Sequence, residues 1–120
     1  GDEFLRVERI KLFNGVKVAW MVDYVPAHIY PPEDFKRDFA GSALDLFANH
    51  PRTGLSYSEA DMSPVGLDAK LANKLGVAKG APALFIDELL FNANGGIIEG
   101  GHAWLLPEHF RFRLRRRMSI

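Results

Sequence analysis

Two cations near the start of the chain, Arg9 and Lys11, are the residues best suited to bind a charged ligand. They lie two positions apart in an apolar segment, so a β-strand would place both side chains on one face. Asn14-Gly15 predicts a two-residue hairpin turn, whose simplest register pairs Arg9 with Trp20 and Lys11 with Val18. Because unpaired buried cations are costly, two explanations remain open: an anionic ligand group neutralises them, or the face is solvated or supplies Glu partners.

A second polar set lies in the segment from Ile97 to Trp104. Glu99 is its one acid, and Gly100-Gly101 would leave space in which a ligand approaches the strand closely. The alternative is a β-bulge at the two glycines with an exposed or ion-paired Glu99. In an unbroken strand Glu99 and His102 point to opposite faces, so we do not expect a Glu-His catalytic pair.

The sequence lacks the motifs of metal, nucleotide and covalent chemistry. There is no Cys, and no two of the histidines have metal-ligand spacing: His28, His50, His102 and His109. P-loop, G-x-G-x-x-G and G-x-S-x-G motifs are also missing. We therefore predict no metal site, no cofactor and no catalytic residues. The arginines from Arg113 to Arg117 are interpreted as a solvated strand end in preference to a contact with DNA or an adjoining domain.

Composition limits the class of protein. A chain of 120 residues is predicted to form one domain, residues 1–120. Fifteen basic residues balance fifteen acidic ones, so the positive field of a DNA-binding domain is lacking. No apolar run suits a membrane helix, and the N-terminus has no signal-peptide pattern. We expect a soluble, cytoplasmic protein that makes no membrane contact.

The elements that would position these residues begin with a hairpin of two strands, Phe4 to Phe13 and Val16 to Val25. Capping patterns then predict two helices. Pro31-Pro32-Glu33-Asp34 opens the first, with Phe35 and Phe39 buried; Ser42 caps the second, Ala43 to Asn49, with Leu44 and Phe47 buried.

The second half of the chain predicts one more helix and four strands. These are a strand from Leu55 to Met62, a helix opened by Ser63-Pro64 with Leu67, Leu71 and Leu75 buried and Gly76 at its end, a hairpin of Ala83 to Asn92 with Ile97 to Leu106, and a strand over Phe110 to Leu114. The order β-β-α-α-β-α-β-β-β predicts the α+β class, with one mixed, largely antiparallel sheet and helices packed on it.

Several of these segments, in this order and spacing, carry a family resemblance. They are Glu8-Arg9-Ile10-Lys11-Leu12 with Asn14-Gly15, Asp23-Tyr24-Val25-Pro26, Gly41-Ser42-Ala43-Leu44, Ala72-Asn73-Lys74-Leu75-Gly76-Val77 with Gly80-Ala81-Pro82, and Asn94-Gly95 through Phe110-Arg111-Phe112. Together they resemble the UTRA domain, the effector-binding domain of the HutC subfamily of GntR regulators, over nearly the whole chain.

The resemblance implies a chorismate-lyase-like fold and a homodimeric bacterial transcription repressor. A small effector would bind this domain, and operator DNA would bind a preceding winged helix-turn-helix domain. We expect the chain to be a fragment without that N-terminal domain and without the strand and short helix that family members carry before the position of Phe4. A small chorismate-lyase-like enzyme acting on an aromatic acid is the alternative function.

The resemblance also implies site residues. The family's arginine-x-arginine matches Arg9 and Lys11, its helix-opening serine matches Ser42, and its last-hairpin glutamate matches Glu99. In sugar-phosphate sensors the basic residues and Ser meet the anion and Glu meets a hydroxyl. Lys11 cannot form the bidentate hydrogen bonds that arginine makes to a phosphate. Gly100-Gly101-His102 stands where many members have tyrosine-serine-arginine. These departures favour a differently shaped effector, either carboxylate-bearing or more apolar, with His102 and Trp104 as further contacts.

Overall fold

Five strands form one sheet in the computed structural model, which describes residues 3–118. The strands are β1 (Phe4–Phe13), β2 (Val16–Pro26), β3 (Tyr57–Gly66), β4 (Pro82–Phe91) and β5 (Ile97–Leu105). The helices are α1 (Pro32–Asp38), α2 (Ala43–Ala48) and α3 (Ala69–Leu75), with 3₁₀ turns at Pro51–Thr53 and Pro107–His109. The strand order is β1-β2-β5-β4-β3 with every pairing antiparallel, which confirms the predicted α+β class.

The first hairpin forms at the predicted turn, but its register was wrong. Asn14 and Gly15 both have positive φ, 49° and 78°, as a tight hairpin turn requires. A β-bulge at Lys11/Leu12 then places one extra residue, Val18, on β2. Lys11 therefore pairs with Ala19 instead of Val18, and Arg9 pairs with Met21 instead of Trp20.

The bulge decides which face of the sheet carries the two cations. Since alternate residues share a face, Arg9 and Lys11 lie with Met21 and Asp23, whereas Trp20 lies on the other side. We call the side with Asp23 the front face and the side with Trp20 the back face. Without the bulge, the cations would have faced the larger apolar cluster.

Each face has its own core. On the front face, α1 and α2 cover the sheet through contacts among Val25, Leu90, Ile98, Phe35, Leu46 and Phe47. On the back face, the segment leading into α3 and the helix itself cover Trp20 and Val22 with Leu67, Ala72 and Leu75. One end of the front face is thus filled by two short helices, and the remainder is left for a site.

In α2 the capping prediction is confirmed and one burial prediction is wrong. Ser42 Oγ accepts the N–H of Asp45 at 3.3 Å. Leu44 is 38% exposed, whereas Leu46 is buried. The reason is the helical period: Ala43, Leu46 and Phe47 share one stripe, and Leu44 lies at the flank of that stripe.

The predicted helix start at Ser63-Pro64 was wrong, because both residues belong to β3. β3 is an edge strand, where proline is accepted because its missing N–H interrupts no second ladder. The helix α3 begins later, with Asp68 Oδ1 accepting the N–H of Leu71 at 2.8 Å. Its predicted end is confirmed, since Gly76 adopts the left-handed conformation at φ 71°.

The last hairpin contains a bulge, although not at Gly100-Gly101. Leu90 pairs with Glu99 and Phe91 with Ile97, so the extra residue is Ile98. Ile98 and Glu99 are both buried, at 1% exposure each. The bulge therefore leaves β5 regular from Glu99 onward.

The predicted strand over Phe110 to Leu114 was wrong. Within residues 3–118, this stretch has no strand partner, and Phe112 and Leu114 are 58% and 77% exposed. Both neighbours of β5 are already taken, by β2 and β4, so the alternating pattern finds no open edge beside it. None of the helices in this part of the chain has the length and apolar character needed to cross a membrane.

Candidate functional site

A cavity of about 280 Å³ opens on the front face between the sheet and the start of α2. Sites for small metabolites begin at about this size. Three of the residues singled out from the sequence, Arg9, Lys11 and Ser42, border it together. Strand pairing and the cap of α2 bring them there from positions more than thirty residues apart.

Arg9 is held firmly in this cavity. Its Nη2 lies 3.3 Å from Asp23 Oδ2, and its Nη1 donates to the carbonyl oxygen of Gly41. The guanidinium also lies over the ring of Phe39, 4.7 Å from the ring centroid. Its Nε is buried and has no hydrogen-bond partner in residues 3–118. Arg9 is therefore a positioned donor group whose charge Asp23 already balances.

Lys11 and Ser42 are less constrained. Lys11 is exposed, and Phe110 is its aromatic neighbour, with Nζ 5.8 Å from the ring centroid. No ion pair of Lys11 is found in the described part of the chain. Ser42 Oγ accepts a hydrogen bond from the backbone, so the hydroxyl proton stays available to donate. Both groups can reach an anion in the cavity without breaking a structural contact.

Glu99 does not border this cavity; it borders a second cavity of about 370 Å³, with Tyr24 and His28. Burial and the neighbouring carboxylate of Asp23 raise the pKa of Glu99 to about 10, so the group is neutral at pH 7. A Cβ built on Gly101 would lie 3.1 Å from Asp23 Oδ1 and 3.6 Å from Glu99 Oε1, so this glycine adjoins both carboxyls. Glu99 Oε1 has no hydrogen-bond partner in the described residues. The neutral acid can hold Asp23 in place by donating its proton to it.

His102 and Trp104 contact each other on the back face. His102 borders the cavity, but its imidazole packs against Tyr24, Phe85 and Trp104, and its Nε2 lies 3.3 Å from Asp87 Oδ1. Trp104 does not border the cavity. Glu99 and His102 point to opposite faces, as expected from their spacing, and form no pair.

Two acids that border the cavity were not singled out from the sequence, Asp23 and Glu88. Burial and Asp23 raise the pKa of Glu88 above its usual range. Each acid interrupts an apolar strand segment, Val22 to Val25 and Phe85 to Leu90, and that interruption was an available signal. In residues 3–118 no cluster of three His, Asp or Glu side chains is arranged to hold a metal.

Comparison with known proteins identifies one family. The family model described as UTRA domain matches residues 1–111. The HTH-type transcriptional repressor NagR of Bacillus subtilis (strain 168) is 23% identical over 107 residues, which cover 89% of this chain and 44% of NagR. This chain thus spans less than half the length of that relative.

Solved structures share the fold. The effector binding domain of the trehalose repressor TreR of B. subtilis superposes with a TM-score of 0.79 at 15% identity, over 99% of this chain and 82% of that one. The ligand-binding domain of a putative GntR-family transcriptional regulator from Bordetella bronchiseptica gives 0.78 at 17%, over 98% and 74%. These matched proteins are transcription regulators and not enzymes.

Proposed function

Because the chain belongs to the UTRA domain family, we propose that residues 1–120 are one effector-binding domain of a bacterial transcription repressor of the HutC subfamily of GntR regulators. A small anionic metabolite binds the front-face cavity and changes the affinity of the whole regulator for operator DNA. DNA contact is made by an N-terminal winged helix-turn-helix domain. By linkage, the effector and DNA then alter each other's affinity by the same factor.

The observation that carries this proposal is the convergence of Arg9, Lys11 and Ser42 on one cavity. Two cations and a free hydroxyl proton supply the donors that a carboxylate or phosphate accepts. Glu99 acts on the site indirectly, through its neighbour Asp23. His102 and Trp104 remain predicted contacts, but their rings lie on the back face, and β5 is paired with β2 and β4 on both sides. An effector in the front-face cavity therefore does not meet these rings.

The enzyme alternative is not favoured, since the matched relatives are transcription regulators. The chain has no net charge, which agrees with DNA being bound by another domain of the regulator. We further propose that the regulator works as a homodimer in the cytoplasm, as the family resemblance implies. Size-exclusion chromatography with light scattering measures the oligomeric state directly.

A thermal-shift screen against carboxylated and phosphorylated metabolites tests the proposal. A ligand at a hundred times its dissociation constant stabilises the folded domain by about 2.7 kcal/mol. We expect Arg9→Ala to abolish the shift and the exposed Arg113→Ala to preserve it. An unchanged shift in Arg9→Ala contradicts the site, and steady consumption of every ligand that binds contradicts the sensor role.

A further inference from the structure

The side chains around the front-face cavity carry charges of both signs. Arg9 and Lys11 contribute two positive charges, and Asp23 and Glu88 contribute two formal negative charges. Their sum is zero. An effector that carries only negative charge gains from the cations and loses against the acids, so net charge alone does not attract it.

Glu88 lies at the opposite end of the cavity from the two cations, whereas Asp23 lies beside Arg9. Arg9 and Lys11 extend from β1, whereas Glu88 extends from β4, three strand positions away across β2 and β5. Three strand spacings correspond to about 14 Å between backbones. Long side chains reach inward from both ends, so the remaining gap suits a small metabolite with groups at its two ends.

Gly101 keeps the space between these ends open. It pairs with Asp23 on one side and with Glu88 on the other, so its missing side chain leaves the floor of the cavity clear. Any larger residue would press on Asp23, because a Cβ at this position already lies 3.1 Å from Asp23 Oδ1. A ligand can therefore lie across β5 from β1 to β4.

Glu88 is the acid that lacks a protein partner. Asp23 is paired with Arg9, whereas Glu88 has neither an ion pair nor a side-chain hydrogen bond to any residue from 3 to 118. A half-buried acid without a donor is unfavourable, and a cation or N–H donor of a ligand would relieve that cost. Lys11, at the other end, lacks an anionic partner, since no carboxylate of the described residues pairs with it.

We propose that the effector is dipolar, with a carboxylate or phosphate group bound by Lys11 and Arg9 and an ammonium group bound by Glu88. This inference rests on the proposed function, because it assigns the ligand class of the same cavity. The positive end of the ligand replaces the donor that Glu88 lacks, and the negative end adds to the Arg9 and Lys11 side. The arrangement selects against the same molecule without its amine.

Matched ligand pairs test this assignment on the purified domain. The probes are ω-amino carboxylates of three to six carbons and O-phosphoethanolamine, each compared with its counterpart without the amine, by isothermal titration calorimetry. We expect the amine to tighten binding by about tenfold or more, the equivalent of one charged hydrogen bond. Glu88→Gln should remove this preference, whereas Lys11→Gln should weaken both members of a pair equally.

Glu59→Gln is the matched control, since Glu59 is exposed on β3 and borders no cavity described above. It should keep the full preference for the amine. The dipolar assignment fails if no amine-bearing probe binds, if both members of each pair bind equally, or if Glu88→Gln keeps the preference. The proposed function fails separately, when the wider anionic screen yields no ligand that depends on Arg9.

Discussion

Asp38 and Glu99 are two carboxyl groups in opposite charge states, and their surroundings explain the difference. Asp38 is the last residue of α1, where Arg37 donates to it from Nε at 2.8 Å and from Nη2 at 3.1 Å, and the Tyr30 hydroxyl donates as well. These donors lower the pKa of Asp38 to about 2. Glu99 is buried beside another acid, and its pKa rises to about 10.

The comparison separates a structural cluster, Asp38 with Arg37 and Tyr30, from a candidate binding site. At Asp38 the surrounding donors satisfy the charge, so nothing remains for a ligand to supply. Around the cavity, Arg9 Nε and Glu99 Oε1 are buried without hydrogen-bond partners among residues 3–118, and Glu88 has no donor. Buried polar groups without partners are rare in folded proteins and call for an explanation. The proposed effector would supply partners to Arg9 and Glu88, the two of these three residues that border the cavity.

The largest expected effect is the pH dependence that Glu99 imposes on stability. The unfolded chain releases this proton near pH 4.5, whereas the folded chain keeps it toward pH 10. The stability from protonated Glu99 is therefore complete below pH 4.5 and is lost as pH rises through the window between these values. Each pH unit corresponds to about 1.4 kcal/mol for one retained proton.

Glu99→Gln keeps the shape and removes the titration. Wild type loses about 1.4 kcal/mol of unfolding free energy per pH unit over this range because folded Glu99 keeps a proton that the unfolded chain releases. The variant has no such loss, so we expect its stability relative to wild type to rise by up to about 4 kcal/mol between pH 5 and pH 8. Urea unfolding at pH 5, 6.5 and 8 measures the difference. Glu59→Gln, an exposed change on β3, should follow the wild-type curve; parallel curves for wild type and Glu99→Gln would show that Glu99 is not the neutral acid described.

A smaller effect on stability is expected at the structural cluster of Asp38. Tyr30→Phe removes the hydroxyl donor to Asp38, and because Tyr30 itself is fully buried we expect the variant to be less stable than wild type. Because the pKa of Asp38 is then depressed less, stability at acid pH is lost at a higher pH than in wild type. Tyr57→Phe, at a half-exposed tyrosine, should change the urea midpoint by less than about 0.5 kcal/mol. Equal losses in the two variants would mean that Asp38 is not stabilised through Tyr30.

Local chemistry allowed much of the fold to be predicted from the sequence. Asn14-Gly15 specifies its turn because few other pairs accept two positive φ angles, and Ser42 and Gly76 mark helix ends through the groups they satisfy. The failures depend on distant partners. Phe110 to Leu114 alternate like a strand, but no edge is free beside β5, and Pro64 resembles a helix start until β4 pairs with its strand.

The site was predictable in part for the same reason. Arg9 and Lys11 stood out as cations in an apolar strand, yet a single inserted residue, Val18, decided which face they share. No turn rule predicts that bulge, because it depends on contacts of β2 with Leu106 as well as with β1. Asp23 and Glu88 were not predicted as site residues, because strand pairing with β5 brings them to the cavity and local sequence patterns do not specify that pairing.

The adjacent glycines of β5 offer the finest test, because they face opposite sides of the sheet. A Cβ at Gly101 would lie 3.1 Å from Asp23 Oδ1, whereas a Cβ at Gly100 would meet only Leu89 Cδ2, at an ordinary 3.5 Å. Gly101→Ala should shift Asp23 and narrow the cavity floor, which weakens the best ligand of the anionic screen by about tenfold in calorimetry. Gly100→Ala should leave that affinity unchanged, and both variants should stay within about 1 kcal/mol of wild-type stability, since replacing a strand glycine recovers some backbone entropy. Equal affinity losses in the two variants would place the ligand elsewhere than on the front face.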